Sequence, residues 1–124
     1  MTPEQKIPGP DHPITVKPSA DRVIVRVGNA TLADSTASLV LQEADYPAVR
    51  YIPLADVDEA LLATSDTTTY CPYKGEASYW SITADSDRGE DAVWSYHDPY
   101  AAVEEIRDHV AFYPDRVEIT IEAA

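Results

Sequence analysis

From Thr67 to Ala77 the chain reads Thr-Thr-Thr-Tyr-Cys-Pro-Tyr-Lys-Gly-Glu-Ala, which places a thiol, phenols, an ammonium and a carboxylate within a few residues of Cys71. A cation beside a thiol stabilises the thiolate and lowers its pKa, so Lys74 marks Cys71 as a candidate nucleophile or redox thiol. Tyr73 and Glu76 are the neighbouring groups able to pass a proton. Pro72 and Gly75 bend the chain and bring Cys71 and Lys74 closer than a continuous strand would. The competing assignment is a buried structural cysteine with Lys74 paired to Glu76 or another carboxylate, since no partner histidine or second cysteine is evident.

Seven of the eleven aromatic residues fall between positions 70 and 100: Tyr70, Tyr73, Tyr79, Trp80, Trp94, Tyr96 and Tyr100. On a strand Trp94 and Tyr96 share a face, while Tyr79 and Trp80 point to opposite faces, so several rings can border one small cavity. The candidate ligand-binding set is therefore Tyr51, Tyr73, Lys74, Glu76, Tyr79, Trp94 and Tyr96, with Lys74 as an anchor for an anionic group. Ordinary core packing explains the same rings, and the two assignments stay open.

Other residue patterns weigh less. Asp56-Val57-Asp58 and Asp85-Ser86-Asp87 have the spacing of a magnesium-holding acid pair, but the first suits a helix cap and the second a solvated turn. Arg22, Arg26, Arg50 and Lys74 could form a local basic pocket, against which stand salt bridges to the protein's own acids. His97 reads as a turn residue beside Asp98. His12, His97 and His109 lack the spacing of a helical metal pair, and one cysteine builds neither an internal disulfide nor a multi-cysteine zinc site. No metal or cofactor is expected.

The 124 residues are 44% hydrophobic and carry a formal charge of -13, enough apolar material for one compact domain and too acidic a surface for nucleic acid or an anionic bilayer. The chain has no basic stretch followed by an apolar one at its start, and no apolar run near the roughly 20 residues that span a bilayer. The expectation is a cytoplasmic protein, monomeric by default, whose partner is a small molecule.

Half of the ten prolines lie in the first eighteen residues, so residues 1–19 are expected as an extended arm ahead of a single domain over 20–124. Val23, Val25 and Val27 alternate with Arg22, Ile24 and Arg26 as a half-buried strand, Gly28-Asn29 supplies a tight turn, and Ala30 to Glu43 continues in extended segments. Val49 to Ile52 makes a third strand before Pro53, and the three suggest a meander. Asp56 heads a short expected helix to Thr64 with Glu59 as in a capping box, and Ser65 to Thr69 reads as turn-prone. Ala77 to Thr83 and Ala92 to His97 form an expected hairpin. Asp98-Pro99 opens a longer expected helix to about Tyr113, with Val103, Ile106, Val110 and Tyr113 at helical spacing. Val117, Ile119 and Ile121 mark a last strand. The expected class is β-rich α+β: a single curved, mostly antiparallel sheet with one short helix and one longer C-terminal helix.

The string Thr69-x-Cys71-Pro72-Tyr73-Lys74-Gly75-x-Ala77-x-Tyr79-Trp80 is distinctive. With His12-Pro13-Ile14, Arg22-Val23, Ala33-Asp34-Ser35, Tyr51-Ile52-Pro53, Asp56-Val57, Ala92 to Pro99 and Val110 to Tyr113, it resembles the bacterial domain-of-unknown-function family numbered 427, some of whose members are labelled nucleotidyltransferase-like. The resemblance implies a small β-tent or barrel-like domain and carries no activity with it. Tent-like relatives often hold zinc through cysteine pairs, which a chain with one cysteine cannot do.

Overall fold

A computed structural model describes residues 4–84 and 88–124, so the acidic motif Asp85-Ser86-Asp87 lies outside the described residues, as does Pro3 of the arm. In chain order the strands are β1 (Ile14–Pro18), β2 (Arg22–Val27), β3 (Ala30–Ser35), β4 (Leu39–Glu43), β5 (Val49–Pro53), β6 (Leu62–Cys71), β7 (Gly75–Ile82), β8 (Val93–Ser95), β9 (His109–Phe112) and β10 (Glu118–Glu122). Three 3-10 turns, Leu54–Asp56, Glu59–Leu61 and Ala101–Ile106, supply the described helical structure. None is long and apolar enough to cross a membrane.

The strands form two sheets rather than the single one expected: a seven-stranded sheet ordered β1-β4-β5-β9-β8-β7-β6 and a three-stranded sheet ordered β10-β2-β3. Every ladder is antiparallel. Gly28 takes φ +56 in the tight turn joining β2 to β3, where a left-handed residue is needed. The meander then breaks, because after Ser35 the chain crosses to the larger sheet and β4 pairs with β5 there. Alternation reveals which face of a strand is buried but not which strand lies beside it, and the valines of β2 find their cover in another sheet. The proline-dense arm is extended and donates its last residues, β1, as the outer strand beside β4, where proline is tolerated.

Alternation also divides the core in two. Ile52, Val93, Val110 and Phe112 of the larger sheet pack on Val23, Val25, Leu32 and Ala33 of the smaller one. Tyr51, Ala77, Tyr96 and Ala111 belong to a second cluster with Val103 and Ile106 from the Ala101–Ile106 turn. Full burial of one such aliphatic side chain is worth roughly 1.5–3 kcal/mol, so both clusters contribute to holding the sheets together.

Neither expected helix forms. The segment from Asp56 to Thr64 divides because Val57 turns extended (φ -109, ψ 138) to bridge Ala33, and the Asp58 amide donates to the Leu32 carbonyl at 2.8 Å. Asp58, not Asp56, caps the turn that follows, accepting from the Ala60 amide, and Leu62 onward enters the ten-residue strand β6, which also absorbs the turn-prone threonines through a register shift. The C-terminal helix fails at Val103 (φ -131) and ends for good at Asp108, whose φ of +62 reverses the chain into β9. β9 lies between β5 and β8 with Val110, Ala111 and Phe112 all buried. A strand covered on both faces has no alternation to display, and its apolar run joined to Val103 and Ile106 imitates helical spacing.

Asp108 distinguishes the two architectures experimentally. Asp108→Gly is expected to leave the urea-unfolding free energy unchanged or higher, whereas Asp108→Val costs about 1–2 kcal/mol, since a β-branched residue resists positive φ. A helix through this position would give the opposite result for glycine, a loss of roughly 0.3–0.5 kcal/mol.

Candidate functional site

The β6–β7 hairpin closes with Cys71 opposite Gly75, so Pro72, Tyr73 and Lys74 form its loop. Gly75 sits at φ +112, and a Cβ there would lie 3.4 Å from the Asp98 carbonyl oxygen. The Tyr100 amide donates to the Lys74 carbonyl at 3.0 Å, and the Lys74 amide donates to the Cys71 carbonyl at 3.2 Å. With its backbone held on both sides, Lys74 is buried, 9% exposed.

An ammonium so placed loses water and needs an anion. The Lys74 Nζ donates to Glu43 Oε1 at 2.5 Å, and the other oxygen of Glu43 meets His12 Nε2 at 2.8 Å. Burial by itself would raise the Glu43 pKa, but the bonds from Lys74 and His12 outweigh it and hold the carboxyl below its ordinary range. Tyr73 stacks on the His12 ring, centroids 4.1 Å apart and planes 8° from parallel. The arm is fastened over this hairpin tip by the Lys6 amide on the Pro72 carbonyl and the Tyr70 hydroxyl on the Glu4 carbonyl.

Beside the ion pair lies a cavity of about 550 Å³. Pairing of β5 with β9 covers only Ile52–Val110 and Pro53–His109, and the cavity takes its lining from Val49–Ile52 of β5 and from Phe112–Pro114 beyond that pairing. Val23, Val25, Ile119 and Ile121 of the smaller sheet line it as well. Trp94 crosses Tyr51 edge-on (87°, centroids 6.4 Å) and donates its indole N–H to the Tyr51 hydroxyl at 3.3 Å, while its other neighbour Tyr113 lies 4.4 Å away. Burial pushes the phenols of Tyr51 and Tyr96 well above their ordinary pKa, and Tyr113, also beside Tyr79, is pushed up to about 12. All three stay protonated at neutral pH.

Of the residues singled out by sequence, Tyr51, Lys74, Tyr79, Trp94 and Tyr96 line this one cavity. Tyr73 is turned to His12, and Glu76 is exposed opposite Tyr70; neither is in the lining. Cys71 Sγ lies 3.7 Å from Lys74 Nζ, also outside the lining. The carboxylate that Lys74 uses is Glu43, thirty-one residues away, not Glu76. Sequence reasoning missed Glu43 and the part played by His12; an acid ending an apolar strand carries no local signal of a distant ammonium. Arg50 does line the cavity, but its guanidinium donates to Ser19 and Ser38 and faces Asp21 at 3.5 Å. Arg22 and Arg26 are exposed elsewhere, Arg22 gripping Asp34 through two bonds of 2.9 and 2.7 Å. Asp56 accepts from the Ser35 hydroxyl, so the Asp56/Asp58 pair is engaged in local structure. Among the described residues no three of His, Cys, Asp and Glu gather into a metal-holding group.

Glu43→Ala strands a buried ammonium and is expected to cost about 3–5 kcal/mol in urea unfolding, whereas Lys74→Met combined with Glu43→Leu recovers most of it. Glu43 is depressed in the folded state, so its contribution is complete above its ordinary pKa of 4.5 and is lost as pH falls through the lower folded value. Unfolding free energies measured from pH 6 to 3 should therefore fall more steeply in the natural protein than in Glu43→Gln.

No curated protein matches the chain. Over residues 15–123 it matches the model of the domain of unknown function DUF427, and the chain belongs to that family.

Proposed function

We propose that this chain binds a small, largely apolar molecule in the cavity bordered by Tyr51, Tyr79, Trp94 and Tyr96. The observation that carries the proposal is the cavity itself: about 550 Å³ of space bordered by aromatic and aliphatic side chains, with a few polar groups converging on it. Ligand sites have this size and this mixture, a greasy wall with a handful of polar contacts that set orientation.

Lys74 contributes to the wall as half of an ion pair. Its charge is answered by Glu43, which argues against its use as an anchor for an anionic ligand. Catalysis by Cys71 has the nearby Lys74 ammonium in its favour, but the sulfur is not in the cavity lining, so a ligand held by the rings would not meet it. Nucleotidyl transfer has less support still, since Asp56 and Asp58 are occupied by Ser35 and the Ala60 amide. The small molecule is thus the proposed partner of a cytoplasmic monomer, in keeping with a charge of -13 that repels nucleic acid and anionic lipid.

N-phenyl-1-naphthylamine, an uncharged dye that brightens in apolar surroundings, tests the proposal. Saturable binding of one dye per folded chain is expected. Ala48→Trp, which places a large ring at an exposed position of the lining, should weaken it about tenfold or more without moving the unfolding midpoint. Cys71→Ser should leave dye affinity within about twofold. Absence of saturable binding, or indifference to Ala48→Trp, would sink the proposal.

A further inference from the structure

Tyr51 is 2% exposed and Tyr96 7%, and both line the cavity. The Tyr51 hydroxyl accepts the Trp94 N–H but gives its own proton to no acceptor among the described residues. The Tyr96 hydroxyl has no hydrogen bond to the described protein at all. Among the described residues the side-chain oxygens sealed from solvent without a partner are Asp91 Oδ1 and Ser95 Oγ. The Tyr96 oxygen is not one of them, so it reaches open space, and for a ring so deeply buried that space is the cavity. Two tyrosines that line one cavity thus carry hydroxyls that donate to no acceptor among the described residues. An O–H group beside a ligand-sized space is free to donate to an acceptor brought into it.

We infer that the ligand is an uncharged, largely apolar molecule bearing a carbonyl oxygen, and that the hydroxyls of Tyr51 and Tyr96 donate to it. The inference rests on the cavity being a ligand site, as proposed above. A carbonyl oxygen presents two lone pairs and no proton of its own, which matches two donors that lack acceptors. A carboxylate fits less well, because the cations in the lining are committed: Lys74 to Glu43, and Arg50 to Ser19, Ser38 and Asp21. A carboxylate would enter beside Glu43 with no free positive charge to meet it. The Trp94 and Tyr79 rings and the aliphatic wall of Val49 and Ile119 then receive the apolar body.

Three probes of one size separate the possibilities: naphthalene, 2-acetonaphthone and 2-naphthoate, each titrated against the naphthylamine dye on the full chain. The ketone is expected to bind at least about tenfold more tightly than naphthalene, and more tightly than the carboxylate. Tyr96→Phe should remove part of the ketone's advantage, and Tyr51→Phe with Tyr96→Phe nearly all of it, while naphthalene affinity stays within about twofold. The carbonyl stretch of the bound ketone should move to lower wavenumber in the natural protein, a readout that does not depend on any variant folding. A ketone no tighter than naphthalene, a ketone that fails to displace a bound dye, a carboxylate that binds best, or an unshifted carbonyl stretch would each overturn the inference and leave the cavity proposal standing. Failure of the dye itself to bind would remove the cavity proposal, and this inference with it.

Discussion

A buried ammonium must have a counter-charge, and that requirement joins the distant parts of this domain. Lys74 reaches Glu43 at 2.5 Å and Glu43 reaches His12 at 2.8 Å, so the hairpin loop, the end of β4 and the N-terminal arm meet through one carboxylate. These residues are separated by 31 positions in each interval; the β1–β4 ladder, with Ile14 opposite Glu43, already sets the arm beside the end of β4, but the hairpin of β6 and β7 pairs with neither of those strands. The glycine after Lys74 belongs to the same constraint, because only a residue without Cβ takes φ +112 this close to the Asp98 carbonyl. Replacing the pair by apolar residues need not weaken the fold; leaving either charge alone would. What the pair provides that apolar residues would not is a polar, electrically balanced end to the neighbouring cavity.

The cavity in turn follows from how the large sheet is built. β5 and β9 share two residue pairs, and beyond them the lining is made by side chains of both strands instead of by a continuing ladder. Trp94 reaches Tyr51, a residue of another strand, with a hydrogen bond and a perpendicular ring, an arrangement that keeps both rings fixed at the border of the empty space. Rigid rings lose little conformational entropy on contact with a ligand, so under the proposed function such a border would favour binding. Two of the lining tyrosines, Tyr51 and Tyr96, carry hydroxyls that donate to no acceptor among the described residues.

Much of the β structure was legible because half-buried strands announce themselves. Val23 and Val25 are fully buried while Arg22 and Arg26 are exposed, as period-two alternation requires, and the β2–β3 and β7–β8 pairings follow the turn signals between them. The failures have physical causes. β9 is covered on both sides, so Val110, Ala111 and Phe112 read as a run that Val103 and Ile106 extend into a false helical period. The division into two sheets is a matter of which strands become neighbours, which local pattern does not encode. Of the cavity lining, aromatic density between positions 70 and 100 pointed to Tyr79, Trp94 and Tyr96 but equally to Tyr73, which lies outside it, whereas Glu43 and His12 matter through contacts 31 residues distant.

Chemistry and position disagree at Cys71, and position is the stronger guide. The local string allowed an activated thiol as well as a structural cysteine, and the ammonium does stand 3.7 Å from the sulfur. Yet the same ammonium is held by Glu43 at 2.5 Å, so its charge is already answered by a carboxylate. The sulfur packs beside the cluster of Tyr51, Ala77 and Tyr96 without entering the cavity lining. A nucleophile acts only on what it can touch. Under the proposed function the residues of the lining, and not Cys71, would be the ones to meet a bound molecule.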